Sequence, residues 1–61
     1  MKVSEFVRQL KKQGIQFAEH GREHDKYVNP ETGQEARIPR HKSKEIGTGL
    51  REQILKDLGL R

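Results

Sequence analysis

His24 is the residue whose type and place in this chain best suit acid–base chemistry. It lies in Gly21-Arg22-Glu23-His24-Asp25-Lys26-Tyr27, where a glycine-bearing turn hands over to a stretch with strand character. Imidazole side chains change charge near neutral pH and serve as general acids or bases. Lys26, two residues on, falls on the same side of a strand, and its ammonium would stand beside a phosphate that His24 reaches. Histidine with a neighbouring cation is the equipment of a nuclease. Arg37 and the basic segment Arg40-His41-Lys42-Ser43-Lys44 add further groups able to hold phosphate oxygens. Each also has an ordinary reading, as a solvated surface residue, and Tyr27 reads as core rather than as a platform for a base. His20 and His24 are four apart, a spacing that would serve a metal on a helix, but a turn intervenes. A metal site is therefore rejected, and no cofactor is expected.

The elements that position these residues follow from periodicity. Val3, Phe6, Val7 and Leu10 recur at helical spacing, predicting a helix from about Ser4 to Gln13 with Ser4 as its cap and Gly14 as its left-handed stop. From Ile15 the period is two. Ile15, Phe17 and Glu19 point one way, and Gln16, Ala18 and His20 the other. Gly21-Arg22-Glu23 turns the chain into a second strand, His24 to Val28, and Asn29-Pro30-Glu31-Thr32-Gly33 carries the densest turn chemistry in the sequence. A third strand is expected over Gln34 to Ile38. After Pro39 the basic segment reads as a loop, and Leu50, Ile54, Leu55 and Leu58 form one stripe of a last helix, capped by Thr48 and closed by Gly59. The fold class is α+β, in the order α-β-β-β-α, with two helices covering one face of a three-stranded antiparallel sheet. If Ile15, Phe17, Tyr27 and Ile38 face the helix residues Phe6, Leu10, Ile54 and Leu58, the open face carries His20, His24, Lys26 and Arg37.

Size and charge narrow the classes. With 61 residues the chain is expected to form a single domain with a thin core, and it has no cysteine to staple that core. Association with another chain is a natural expectation. Thirteen Lys and Arg against nine Asp and Glu leave a net charge of +4, which favours anionic partners. Neither a signal peptide nor a membrane span is visible, so a cytoplasmic protein is expected.

Several short blocks in order and spacing resemble the HicA toxin family over nearly the whole length. They are the opening Ser4-Glu5-Phe6 to Leu10 helix, Gly21-Arg22-Glu23-His24, Pro39-Arg40-His41, Glu45-Ile46, Leu50-Arg51, Ile54-Leu55-Lys56 and Leu58-Gly59-Leu60. The resemblance implies a double-stranded-RNA-binding-domain-like fold and a ribonuclease that cleaves mRNA, arrests translation and is neutralised by a HicB-type antitoxin. It assigns the active histidine to His24. Arg22 and Glu23 depart from the family pattern, which often has Ser, and Asn or Ser, at these two places. The implied mechanism is metal-independent transesterification, with His24 as general acid or base and Lys26 or Arg37 stabilising the phosphoryl oxygens. The second proton carrier is left open among His20, His41, water and the substrate. RNA contacts are expected from Lys26, Arg37, Arg40, His41, Lys42 and Lys44. Two competing readings are a non-catalytic RNA-binding module using the same cations and an interaction protein whose only partner is the antitoxin.

Overall fold

A computed structural model describes all 61 residues, in the order α1 (Val3–Lys12), β1 (Gln16–His20), β2 (His24–Val28), β3 (Glu35–Pro39) and α2 (Thr48–Asp57). The expected α-β-β-β-α arrangement is present. In α1 the apolar positions Val3, Phe6, Val7 and Leu10 fall at i, i+3, i+4 and i+7, and all four are buried. Its cap is Lys2 rather than Ser4, and the reason lies in the basic loop. The N–H groups of Val3 and Ser4 donate to the carbonyls of Lys44 (2.9 Å) and Lys42 (3.0 Å), so loop backbone does what a capping side chain would do. The Glu5 carboxylate accepts the N–H of Lys2 at 3.0 Å and completes the terminus.

Both helices end in the same way. Gly14 has φ +92° and donates to the Lys11 carbonyl, while Ile15 donates to Leu10. Gly59, at φ +73°, donates to Lys56, and Leu60 to Leu55. These paired bonds are Schellman endings, in which glycine takes the left-handed position and the next apolar residue folds back onto the helix. Helix α2 starts one residue earlier than expected, with Gly47 as its cap, and the Thr48 hydroxyl instead accepts a hydrogen bond from Arg51 at 3.0 Å.

The sheet is antiparallel in the order β1-β2-β3. Between β2 and β3, Asp25 pairs with Ile38 and Tyr27 with Ala36; all four are buried against the helices. Asn29, also buried, fixes the β2–β3 turn. Its side chain accepts the N–H of Glu31 and donates to the Leu58 carbonyl at the end of α2. The hydrophobic core comprises Val3, Phe6, Val7, Leu10, Ile15, Tyr27, Ala36, Ile38, Ile46, Ile54 and Leu58. The expected core was broader. Phe17 lies opposite Tyr27, with ring centroids 5.7 Å apart, yet it is 43% exposed, because the helices leave all of β1 uncovered. Leu50 is 44% exposed and stands outside the stripe assigned to it. No helix is long and apolar enough to cross a membrane.

Candidate functional site

The turn before His24 is built around a close approach. A Cβ on residue 21 would collide with the backbone carbonyl of His24, so only glycine lets the chain turn this tightly. Arg40 clamps the same turn from β3's end. Its N–H donates to the Glu23 carbonyl at 3.2 Å, and its guanidinium donates to the Gly21 carbonyl and, at 3.2 Å, to Asp25. Asp25 is buried on the helix-facing side and also accepts an N–H from His20 at 3.0 Å. These donors, His20 ahead of Arg40, hold its carboxyl below the usual aspartate range even though burial pushes the other way. An Asp–Arg–His cluster thus sits immediately behind the catalytic candidate, on the opposite side of the strand.

The ladder places His24 opposite Pro39 and Lys26 opposite Arg37, so His24, Lys26 and Arg37 share the solvent-facing side, as period two requires. His20 does not join them. Ala18 is extra in β1: Phe17 still pairs with Tyr27, but Glu19 pairs with Lys26 and His20 with Asp25. The bulge reverses the parity of everything after it, putting Glu19 on the open face and turning His20 to the helix-facing side. The predicted place of His20 beside His24 is therefore corrected. The two histidines make no metal-binding pair.

The open-face cations are not equivalent. Lys26 bonds to Glu19 at 2.8 Å and lies 3.8 Å from Glu35, and Glu19 is the main cause of its raised pKa. The Glu19 carboxyl is lowered in return. Arg37 has no ion pair and lines a shallow hollow with Arg22, Glu23 and His24. On its other side His24 borders a second hollow of about 410 Å³, whose wall includes His41 and Lys44. Lys42 points elsewhere, into a groove with Arg8 and Lys11. Arg40 spends its guanidinium on the turn. His24 itself is exposed and makes no hydrogen bond or ion pair within the protein, leaving both ring nitrogens to a ligand. Asp25, Arg8 and Lys11 were missed from sequence, while Gly21 was read there as the turn glycine without its close approach to His24. For Gly21 the family block was the available signal, whereas the role of Asp25 depends on burial.

A family model described as the HicA toxin of bacterial toxin–antitoxin matches residues 3–60. The chain belongs to the HicA toxin family. Among its relatives, a protein named "Probable mRNA interferase HicA" from Pseudomonas fluorescens (strain Pf0-1) is 44% identical over 61 residues, covering 100% of this chain and 98% of the relative. "Probable mRNA interferase HicA 2" from Photorhabdus laumondii subsp. laumondii is 47% identical over 62 residues and covers 100% of both. A HicA-like fold is also found in a chain from a crystal structure of the E. coli HicAB toxin–antitoxin complex. It superposes with a TM-score of 0.86 at 43% identity, covering 98% of this chain and 100% of that one. The matches run from α1 to the end of α2, so the turn bearing His24 and the basic loop both lie inside the shared region.

Proposed function

We propose that this chain is the toxin of a type II toxin–antitoxin pair, an endoribonuclease that cleaves mRNA with His24 as general acid or base. The observation that carries the reading is an exposed imidazole free of protein partners, clamped by its turn and flanked by the unpaired cation Arg37 on the open sheet face. Full-length likeness to proteins named mRNA interferases supplies the substrate. A 2′-hydroxyl of RNA attacks the adjacent phosphorus. His24 takes or gives one of the two protons that move, and Arg37 stabilises the charge that develops on the phosphoryl oxygens. Lys26, Arg40, His41, Lys42 and Lys44 complete the proposed RNA-contacting set. Lys26 and Arg40 are the weaker members, since carboxylates hold one and the turn holds the other. Arg8 and Lys11 extend the set along α1 beside Lys42. No metal takes part in this scheme, because the imidazole and guanidinium supply the proton transfer and the positive charge. A cytoplasmic location is in keeping with an mRNA substrate.

The partner is a HicB-type antitoxin, in keeping with the complex from which the structural neighbour comes. The sheet face has no lid of its own, so a protein lying over it would inhibit directly. Hydrogen exchange on the complex tests this: Glu23–Tyr27 becomes protected, and an unprotected segment overturns direct occlusion. For the activity, the purified chain cuts RNA in EDTA and leaves 2′,3′-cyclic phosphate ends, and His24→Ala abolishes cleavage. RNA bound and shielded equally by both proteins, without cleavage, would establish the RNA-binding module instead.

A further inference from the structure

General acid–base transesterification moves two protons. One leaves the 2′-hydroxyl as the 2′-oxygen–phosphorus bond forms, and one reaches the 5′-oxygen as its bond to phosphorus breaks. One imidazole cannot be base and acid in the same displacement. Of the other two histidines, His20 is on the far side of the sheet with its Nδ1 held by buried Asp25. His41 is not. It lines the same 410 Å³ hollow as His24, together with Lys44 and Glu45.

The backbone holds His41 in that place. The bond from the Arg40 N–H to the Glu23 carbonyl adds one rung beyond the His24–Pro39 pair, and His24 and His41 follow the two residues that this rung joins. The His41 carbonyl accepts the N–H of Lys44 at 3.1 Å, and the carbonyls of Lys42 and Lys44 are tied to the first turn of α1. His41 therefore projects from a loop bonded on both sides to regular structure. Its imidazole, exposed, makes no hydrogen bond within the protein.

We propose that His41 is the second proton carrier of the cleavage reaction, a deepening that rests on His24 being the first. One imidazole, neutral, accepts the 2′-hydroxyl proton. The other, protonated, delivers its proton to the departing 5′-oxygen. The products are a 2′,3′-cyclic phosphate and a free 5′-hydroxyl, the two rings have exchanged protonation states, and solvent restores them. The charged groups around the pair are Glu23, Lys44 and Glu45 in the shared hollow, with Arg22 and Arg37 on the other side of His24. Glu45 is held by the N-terminal ammonium at 2.9 Å.

The experiment compares wild type, His24→Ala, His41→Ala and His41→Gln on one RNA substrate across pH 5 to 9, with thermal melts confirming that all four fold. Wild type follows a bell-shaped kcat profile. Each alanine variant loses about 100-fold or more in kcat and one limb of the bell, and His41→Gln, which keeps hydrogen bonding but cannot titrate, matches His41→Ala. A substrate with sulfur at the 5′-bridging position needs no acid. It rescues one of the two alanine variants and not the other. Inactive His24→Ala with His41→Ala at near wild-type kcat and an intact bell overturns the proposal alone, as does a His41→Ala change confined to KM. Rescue of both variants, or of neither, overturns the division of labour. Full activity of His24→Ala overturns the underlying reading instead.

Discussion

His20 and His24 flank the turn of one hairpin, and the fold treats them oppositely. His20 ends β1 on the helix-facing side, where its N–H is donated to Asp25 and its ring lies 4.9 Å from that of Phe17. His24 begins β2 on the open side, and its imidazole makes no hydrogen bond or ion pair in the protein. The same side chain is thus a structural hydrogen-bond donor at one position and, at the other, an exposed imidazole of the kind the proposed proton transfer needs. A single extra residue, Ala18, makes the difference by reversing which side of β1 faces solvent.

The largest expected effect comes from breaking that contrast directly. His24→Ala loses on the order of 10²–10⁴-fold in RNA cleavage with an unchanged melting temperature. His20→Ala keeps cleavage within about threefold of wild type, but loses on the order of 1 kcal/mol of stability with its hydrogen bond to Asp25. Cleavage rates and urea melts on both proteins decide it. Equal activity losses would mean that the two histidines act together despite lying on opposite sides.

Arg40 links the two histidines, since it bonds to Asp25, the partner of His20, and to Gly21 and Glu23, the turn that carries His24. These bonds predict that Arg40 acts by positioning the turn. Arg40→Ala leaves the backbone bond to Glu23 in place but frees the Gly21 carbonyl and Asp25, so kcat falls about tenfold while KM moves by less than about threefold. Arg40→Lys restores charge without the two-armed geometry and recovers only part of the loss. A rise in KM with unchanged kcat would make Arg40 an RNA contact instead.

How far the sequence carried this comparison depends on what kind of information placed each residue. His24, Lys26 and Arg37 were placed correctly because β2 and β3 pair without interruption and period two suffices. His20 was not, because an alanine bulge has no glycine or proline to mark it, and parity cannot be read through an unmarked insertion. The helix stops were legible in Gly14 and Gly59, while the starts were misplaced by one residue. Their caps are backbone contacts: loop carbonyls meet α1, and Gly47 opens α2 without a side-chain bond. Phe17 and Leu50 were assigned to a core that does not reach them, since two ten-residue helices cannot cover three strands to their edges. Asp25 follows His24 directly and reads as one more surface acid. Only its burial, with two hydrogen-bond donors converging on one oxygen, shows what it holds together.

Asp25 also gives the comparison a pH dependence. Its carboxyl is held below the usual value by His20 first and Arg40 second, so in acid the unfolded chain takes up the proton before the folded one does. The stabilisation is complete above the unfolded value of about 3.9 and is lost as pH falls through the lower folded value. Asp25→Asn keeps an oxygen for both donors but removes the charge. Wild type is therefore more stable than Asp25→Asn at pH 6, and the gap narrows below about pH 4. Urea melts from pH 2.5 to 6 measure it, and a constant gap would show that the cluster acts through shape alone.

The smallest effect concerns the two cations across the ladder from each other. Lys26 is flanked by Glu19 and Glu35, whereas Arg37 has no carboxylate within ion-pair reach and faces the hollow beside His24. A cation already neutralised releases few counterions from RNA when it binds, so Lys26→Ala changes KM by less than about twofold and leaves its salt dependence nearly intact. Arg37→Ala raises KM several-fold and lowers the slope of log affinity against log salt by about 0.7, the value for one phosphate contact on a single strand. Titrations between 50 and 200 mM salt separate the two. If Lys26→Ala gives the larger slope change, RNA displaces Glu19 and Glu35 on binding, and the bulge that brought Glu19 to the open face has supplied Lys26 with a removable counterion rather than a permanent one.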